Sequence, residues 1–502
     1  MTERSITLNL QDEASTLRLG EDLALALKVG GLVYLSGDLG AGKSTLARAL
    51  IRAACDDAQM DVPSPTFTLV QTYQGNSATG MISHYDLYRL EDPEEVEELG
   101  IDEALETGIA LVEWPERGED YLPACILKIV LEQVGAPTRK AILSGGDAIM
   151  LRIERSLAVR KFLTDNWHEN VTRRYMLGDA STRTYETAEF ADEKRILMNS
   201  PPMCDGPIIH NGKPYSQIAH LAENVRPFVA IAKILRKNGF EAPIIHAQDL
   251  EAGFLLISHL GEEGVVDANG KPEAHKYLAA VKLLAQMHEC RWPKVIPLDD
   301  GSDHTVPAYD KDAMMIEVDL LAKWYVPRIS QSPIGAHALD EFANIWQDLI
   351  SRLANSEKSL VLRDYHSPNL LWLDKNLSSH TIGLIDFQDA MVGPCAYDVA
   401  SLAQDARVTV SPELEQLLVG TYIEARLETQ TEFSTDEFRE AYAIMAAQRA
   451  TKVLGIFIRL DERDRKPDYL AHLPRMQSYL KRSLKHPVLG DFKRWLENYA
   501  GF

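Results

Sequence analysis

Cysteine is scarce in this sequence, and it is scattered. Cys55, Cys125, Cys204, Cys290 and Cys395 form no C-x-x-C pair, so neither a zinc ribbon nor a disulfide framework is supported, and a cytosolic setting fits. Basic residues are also in short supply. There are 52 Lys and Arg against 74 Asp and Glu, a net charge of -22. Strong direct binding to nucleic acid needs clustered cations and is not expected of the chain as a whole. A protein partner that holds RNA is still allowed. So is ATP, which needs a few backbone N–H groups, one Lys and a metal ion. Long apolar runs are missing too. No stretch of about 18 uncharged apolar residues is present, so no transmembrane helix is expected. The start, Met1-Thr-Glu-Arg-Ser, lacks the basic and apolar regions of a signal peptide. The expectation is a soluble cytoplasmic protein that does not engage a membrane.

At 502 residues the chain is too long for one hydrophobic core. There is no internal repeat. Residues 1–145 alternate strand-like and helix-like runs, as α/β layering requires. Ser5 to Leu10, Leu32 to Ser36 and Ile126 to Glu132 read as strands, and Asp12 to Lys28 and Thr45 to Ala54 as helices. The stretch from Gly135 to Asp147 is turn-rich and weakly patterned, which places a domain boundary at 145–153. Residues 153–502 read as a two-lobed α+β unit. Short strands are expected near 173–178, 183–190 and 195–199. Helices are expected over 215–238, 273–290, 311–329, 335–354 and much of 411–500. The basic run from Arg475 to Lys485 reads as a helix with charged faces.

The first chemical signal is Gly37-Asp38-Leu39-Gly40-Ala41-Gly42-Lys43-Ser44, a full G-x-x-x-x-G-K-[ST] with a strand before it and a helix after it. Glycines let consecutive N–H groups face phosphate oxygens, and the following helix N-terminus adds partial positive charge. Lys43 is expected to reach the β- and γ-phosphates and Ser44 to ligate Mg2+. The stretch Gly37 to Thr45 is therefore the expected nucleotide-binding segment. Asp86 and Glu113 each close an apolar run, and carboxylates at the ends of parallel strands converge on a ligand crevice.

Together with Ser64-Pro-Thr-Phe-Thr-Leu-Val70, His84-Tyr-Asp-Leu-Tyr-Arg89 and Val112-Glu-Trp-Pro-Glu116, these motifs resemble the TsaE family over about residues 5–140. That family is the ATPase component of the bacterial tRNA threonylcarbamoyladenosine machinery. The resemblance implies that Ser44 and Glu113 hold Mg2+, that Asp86 supports hydrolysis and that Thr66 lies in a switch-like loop. It also implies that Trp114 lies beside the nucleotide, and that the partner is a TsaB–TsaD-like heterodimer which handles the tRNA. The family usually carries Thr where Ser44 stands, and both supply a hydroxyl.

The second signal is Leu362-Arg363-Asp364-Tyr365-His366-Ser367-Pro368-Asn369, followed after an apolar run by Asp386 in Ile382-Gly-Leu-Ile-Asp-Phe-Gln388. This is the kinase arrangement. One Asp accepts the hydroxyl proton, and an Asn and a second Asp hold Mg2+ against the phosphates. The expected base is Asp364, and the expected metal ligands are Asn369 and Asp386. These residues resemble the aminoglycoside phosphotransferase family, whose loop usually reads H-G-D-x-x-x-x-N; here Leu362-Arg363 stands in place of His-Gly. In that resemblance Asp398 braces the loop. Leu177-Gly-Asp-Ala-Ser-Thr-Arg183, Ile196 to Pro202 and Gln448 to Leu460 further resemble the AmgK-type amino-sugar kinases, which act on N-acetylmuramate and N-acetylglucosamine. The phosphate-covering turn offers only Gly178, and no β3-type Lys stands out; Lys194 and Arg195 read as surface charges. Glu317 and Trp324 read either as sugar contacts or as helix packing. The expected whole is a P-loop NTPase domain over 1–145 and a kinase-like domain over 153–502, using ATP, Mg2+ and an amino-sugar acceptor. The alternative for the C-terminal half is a non-catalytic module that binds or regulates the ATPase.

Overall fold

The computed structural model describes residues 3–135, 137–176, 183–203, 206–210, 212–373 and 381–502. Gly178 and Cys204 lie outside the described residues. Two compact units carry the chain. One comprises Met1–Pro201 with Ile245–Ser258, and the other Pro202–Ile244 with His259–Phe502. Among the described residues no helix is long and apolar enough to cross a membrane.

The first unit begins with the expected alternation. Its elements are β1 (Glu3–Leu10), α1 (Glu13–Ala26), β2 (Leu32–Ser36), α2 (Lys43–Ala54), β3 (Val70–Gln74), β4 (Met81–Asp86), α3 (Ile101–Thr107), β5 (Gly108–Glu113), β6 (Leu127–Gly135) and β7 (Thr138–Gly146). The strands form one sheet in the order β1-β7-β6-β2-β5-β4-β3. Its centre, β6-β2-β5-β4, is parallel, and β3, β7 and β1 join antiparallel. Every residue of β5 is buried, as a central parallel strand covered on both faces requires. Where the sequence reads turns, over 135–146, the structure has β7. Ala141 and Leu143 of β7 enter the core, and its two edges pair with β1 and β6. A segment with little strand preference of its own becomes a strand because neighbours distant in sequence supply its ladder.

From β7 the chain passes directly into α4 (Asp147–Asn166), so the interval 145–153 is the end of a strand and the start of an unbroken helix. That one helix serves two cores. Ile149, Met150 and Ile153 pack with α1, α2 and the seven-stranded sheet. Val159, Phe162 and Leu163 pack under a second, antiparallel sheet. This second sheet consists of β8 (Thr172–Met176), β9 (Thr184–Phe190), β10 (Glu193–Asn199) and the later strands Ile245–Asp249 and Phe254–Ser258. A buried ion network joins the two sheets' helices and strands. Asp22 of α1 accepts from Arg173 Nη1 of β8 at 2.6 Å and from Arg160 Nε of α4 at 3.0 Å. Arg173 also binds Glu186 of β9 at 2.7 and 2.9 Å, and Arg160 binds Glu21 at 2.8 Å. Burial opposes the charge of Arg173, but the Glu186 and Asp22 carboxylates more than offset it and raise its pKa.

The second unit is mainly helical. Its helices are α5 (Tyr215–Ile218), α6 (Arg226–Lys237), α7 (Ala274–Glu289), α8 (Lys311–Leu320), α9 (Val326–Ser330), α10 (Ala336–Arg352), α11 (Ala396–Ala403), α12 (Pro412–Thr429), α13 (Thr435–Glu462), α14 (Leu473–Ser483) and α15 (Gly490–Tyr499). The expected helix over 215–238 is thus two helices, and the one over 311–329 contains a π-helical turn at Leu321–Tyr325. Just before that turn, α13 passes so close to α8 that a Cβ on Gly455 would lie 2.3 Å from the Leu320 carbonyl carbon. Only glycine permits this approach, and it brings Glu317 of α8 to Gln448 and Lys452 of α13. Two short antiparallel pairs frame the chemistry: Lys358–Val361 with Met391–Pro394, and Leu370–Trp372 with Ile382–Leu384.

Candidate active sites

In the first unit, β2 delivers the chain into the glycine-rich turn at the centre of the sheet. Gly37, Gly40 and Gly42 have φ of 138°, 80° and 106°, a region that side-chain-bearing residues rarely enter. At Gly37 a Cβ would stand 2.3 Å from the Leu131 carbonyl oxygen. α2 then starts at Lys43, so its free N–H groups face the turn. Lys43 Nζ donates to the Gly37 and Asp38 carbonyls at 2.6 and 3.0 Å and lies 3.6 Å from the centre of the Trp114 ring. Burial pulls the Lys43 ammonium below its ordinary pKa, while Glu113, Glu116, Asp86 and Asp38 act in the opposite sense.

Asp86 and Glu113 are cross-strand partners at the C-terminal ends of the parallel neighbours β4 and β5. Ser44 Oγ donates to Glu113 Oε2 at 2.8 Å. Asp86 Oδ2 accepts from Ser64 Oγ at 2.7 Å and from Thr66 Oγ1 at 2.6 Å, which ties the Ser64–Val70 segment to the strand end. Thus Lys43, Ser44, Asp86, Glu113, Thr66 and Trp114 come together around one turn. Trp114 holds φ of 59°, an uncommon conformation for a bulky residue.

Two residues at this site were missed by the sequence reading. His84 Nε2 lies 2.9 Å from Glu113 Oε1 and holds the carboxylate from the side away from Ser44. Its spacing two before Asp86 on one strand was a usable signal, since alternate residues share a face. Arg139 of β7 packs its guanidinium over Gly42, at 3.0 Å from where a Cβ would lie. Its Nε is buried without a hydrogen-bond partner. No local pattern marks it, because β7 reaches the turn only through sheet pairing.

The contact between Lys43 and Trp114 gives an optical handle. Phosphates that draw Lys43 away from its two carbonyls also remove a cation from the indole face. Addition of MgATP is expected to change the tryptophan emission of the full chain, and Trp114→Phe is expected to abolish that change although six of the seven tryptophans remain. A signal that survives in Trp114→Phe would place the responding indole elsewhere.

In the second unit, the Leu370–Trp372 and Ile382–Leu384 pair is flanked at its base by Asn369 and Asp386. Asn369 Nδ2 donates to the Asp364 carbonyl at 2.9 Å and to Asp386 Oδ2 at 3.4 Å. Gln388 Nε2 donates to Asp386 Oδ1 at 2.8 Å. The three expected residues therefore share one site. Burial would raise the Asp364 pKa, but His366, Lys452, Arg363 and Arg449 together hold it below the ordinary carboxylate value. Asp364 is thus kept ionised and able to accept a proton.

The loop is held from behind. Asp398 accepts from the Leu362 and Arg363 amides at 2.5 and 2.9 Å, while its own burial pushes its pKa up to about 7. Asp405 accepts from the Ser367 amide at 2.8 Å. Arg363 stands at φ of 72°, where glycine is the least strained residue. Its buried guanidinium donates to Glu317 and, at 2.8 Å, to the Ala219 carbonyl. Glu317 in turn accepts from Gln448 Nε2 at 2.9 Å and pairs with Lys452 at 2.9 Å. It is fully buried, and despite its burial the Lys452 and Arg363 charges lower its pKa to about 2. Arg363 therefore anchors the Leu362–Asn369 loop through its side chain, and Glu317 is part of that anchor. Lys194 and Arg195 lie on β10 of the other unit, beside Glu189 and Glu193 respectively.

The family model described as "Threonylcarbamoyl adenosine biosynthesis protein TsaE" matches residues 10–141, and the one described as "Phosphotransferase enzyme family" matches residues 173–441. An N-acetylmuramate/N-acetylglucosamine kinase of Caulobacter vibrioides is 34% identical over 362 residues, covering 70% of this chain and 98% of the relative. A tRNA threonylcarbamoyladenosine biosynthesis protein TsaE of Haemophilus influenzae is 47% identical over 125 residues, covering 24% of this chain and 77% of the relative. The TsaE protein of Rickettsia felis is 43% identical over 125 residues, covering 25% of this chain and 71% of the relative.

Proposed function

Because this chain belongs to the TsaE family through residues 10–141 and to the phosphotransferase enzyme family through residues 173–441, we propose that it is a bifunctional ATP-using enzyme. Residues 1–145 hydrolyse ATP in support of tRNA threonylcarbamoyladenosine synthesis. Residues 153–502 transfer a phosphoryl group from ATP to an amino sugar such as N-acetylmuramate or N-acetylglucosamine. The observation that carries this reading is that each half gathers its own acidic and polar constellation, Ser44-Asp86-Glu113 in one unit and Asp364-Asn369-Asp386 in the other.

In the first half the amides of the Gly37 to Thr45 segment cradle the phosphates, and Lys43 leaves its two carbonyls to meet them. Trp114 packs beside the nucleotide. Ser44 and Glu113 offer adjacent oxygens of the kind magnesium prefers, and Asp86 supports the attacking water. The acidic chain leaves the RNA to a TsaB–TsaD-like partner, with which it works in the cytoplasm. In the second half Asp364 accepts the proton of the sugar hydroxyl. Asn369 and Asp386 would hold the metal, and the Asp398 and Arg363 contacts keep the loop in position. Magnesium, when bound, neutralises the charge that develops on the phosphates.

The test uses the full chain with MgATP and a panel of amino sugars, with product read by mass. A sugar heavier by one phosphoryl group is expected with N-acetylmuramate or N-acetylglucosamine. No sugar-dependent turnover across the panel would rule out the kinase half. In parallel, Asp86→Ala is expected to abolish sugar-independent ATP hydrolysis; unchanged hydrolysis would rule out the assigned role of the first half.

A further inference from the structure

Away from the catalytic loop, the second unit contains a cavity of about 630 Å³ between the start of α12, the first half of α13 and the end of α14. This lies within the range of small-molecule sites, about 300–1,000 Å³. Its lining includes Arg439, Arg482 and Lys485 with a single carboxylate, Glu415. Three cations thus converge on one cavity in a chain whose net charge is -22. Among the described residues neither Arg439 nor Lys485 has an acidic partner.

The floor of the cavity is built and buried. Glu415 accepts from Gln404 Nε2 and from Tyr442 OH, each at 2.8 Å, and pairs with Arg482 at 3.1 Å. Both hydrogen bonds fall on Glu415 Oε1; among the described residues Oε2 receives none and is charge-paired with Arg482 alone, so Arg439 and Lys485 are the cations that this carboxylate does not engage. Arg482 also donates to the Val410 carbonyl at 3.1 Å, and its Nε is buried without a hydrogen-bond partner. A buried N–H of this kind is costly unless an acceptor meets it. Guanidinium groups and a lysine around a pocket too large for a bare oxyanion suit a phosphate dianion carried on a small polar body.

The same wall supports the catalytic loop. Gln404, which binds Glu415, is followed by Asp405, the residue that holds the Ser367 amide and stands 3.7 Å from His366 Nδ1. Side chains of α14 hold the segment after it: Arg475 reaches the Ala406 carbonyl at 2.8 Å, and the Tyr479 hydroxyl reaches the Val408 carbonyl at 2.9 Å.

We propose that this cavity is a second ligand site, that it takes a phosphate ester of sugar size, and that its occupation changes phosphoryl transfer through Gln404 and Asp405. The inference rests on the kinase reading only for its effect on rate. Binding stands on the cavity alone.

The test titrates the full chain by calorimetry with glucose 6-phosphate and N-acetylglucosamine 1-phosphate, with inorganic phosphate and unphosphorylated N-acetylglucosamine for comparison. Wild type is compared with Arg439→Gln/Lys485→Gln, whose exposed side chains make no structural contacts with acids. The esters are expected to bind more tightly than inorganic phosphate, and the double variant to weaken their binding by about tenfold or more. The sugar kinase rate is expected to respond to glucose 6-phosphate in wild type and not in the double variant. Equal ester affinity in both proteins overturns the site, as does competition of glucose 6-phosphate with the acceptor sugar. A kinase rate indifferent to bound ester overturns the coupling. A protein that binds the esters but turns over no sugar keeps the site and refutes the kinase reading instead.

Discussion

Asp364→Asn is expected to lower sugar-dependent phosphoryl transfer by about 10³-fold, within the range that a positioned general base contributes, while sugar-independent ATP hydrolysis by the same protein persists. The asparagine keeps the shape and loses the proton acceptor. Asp364 can serve as that acceptor because surrounding cations keep it ionised despite its burial. The backbone of the loop should survive the change. Its amides are held by Asp398 and Asp405, and Arg363 is anchored independently on Glu317 and Ala219. The loss should therefore fall on kcat, with KM for ATP changed little. Rates of both reactions measured on one preparation, wild type against variant, provide the check. A variant within tenfold of wild type would mean that proton removal is not assigned to this carboxylate.

The second large effect concerns stability. Asp22→Ala is expected to destabilise the first unit by about 3–5 kcal/mol, the usual cost of removing one partner from a buried ion pair. Arg173 would remain wholly buried with Glu186 as its one carboxylate and Ser156 as a neutral acceptor, and Arg160 would keep Glu21 and the Val171 carbonyl but lose Asp22. The damage would cross from one sheet to the other, because Asp22 lies on α1 and Arg173 on β8. Chemical denaturation of the full chain, with the earliest transition monitored, measures it. A shift below about 1 kcal/mol would show that the network behaves like a solvated surface pair. Asp22→Leu combined with Arg173→Met and Glu186→Leu should recover most of the loss, since Arg173 bridges both carboxylates and apolar replacement of a whole buried network is often neutral or better.

The sequence by itself determined which residues to expect together at two sites. The glycine-rich turn with Lys43 and Ser44, the strand-end acids Asp86 and Glu113, and the set of Asp364, Asn369 and Asp386 were all legible. Their spacing is dictated by local geometry: a strand, a turn that needs positive φ, a helix N-terminus, or a hairpin that returns a carboxylate beside an amide. Such patterns are short-range, and a linear reading finds them. Tertiary structure alone decided what holds these residues. β7 became a strand only when β1 and β6 supplied its hydrogen bonds, and with it Arg139 arrived at Gly42. In the linear sequence Leu362-Arg363 is a departure from the His-Gly of the family it resembles. Folding turns Arg363 into an anchor by bringing Glu317, 46 positions away in sequence, to its guanidinium. The join near residue 150 read as a boundary, yet α4 places one half of its apolar face in each of two cores, and Asp22 meets Arg173 across 151 positions. Burial and long-range charge pairing depend on which surfaces meet, and only the folded chain fixes that.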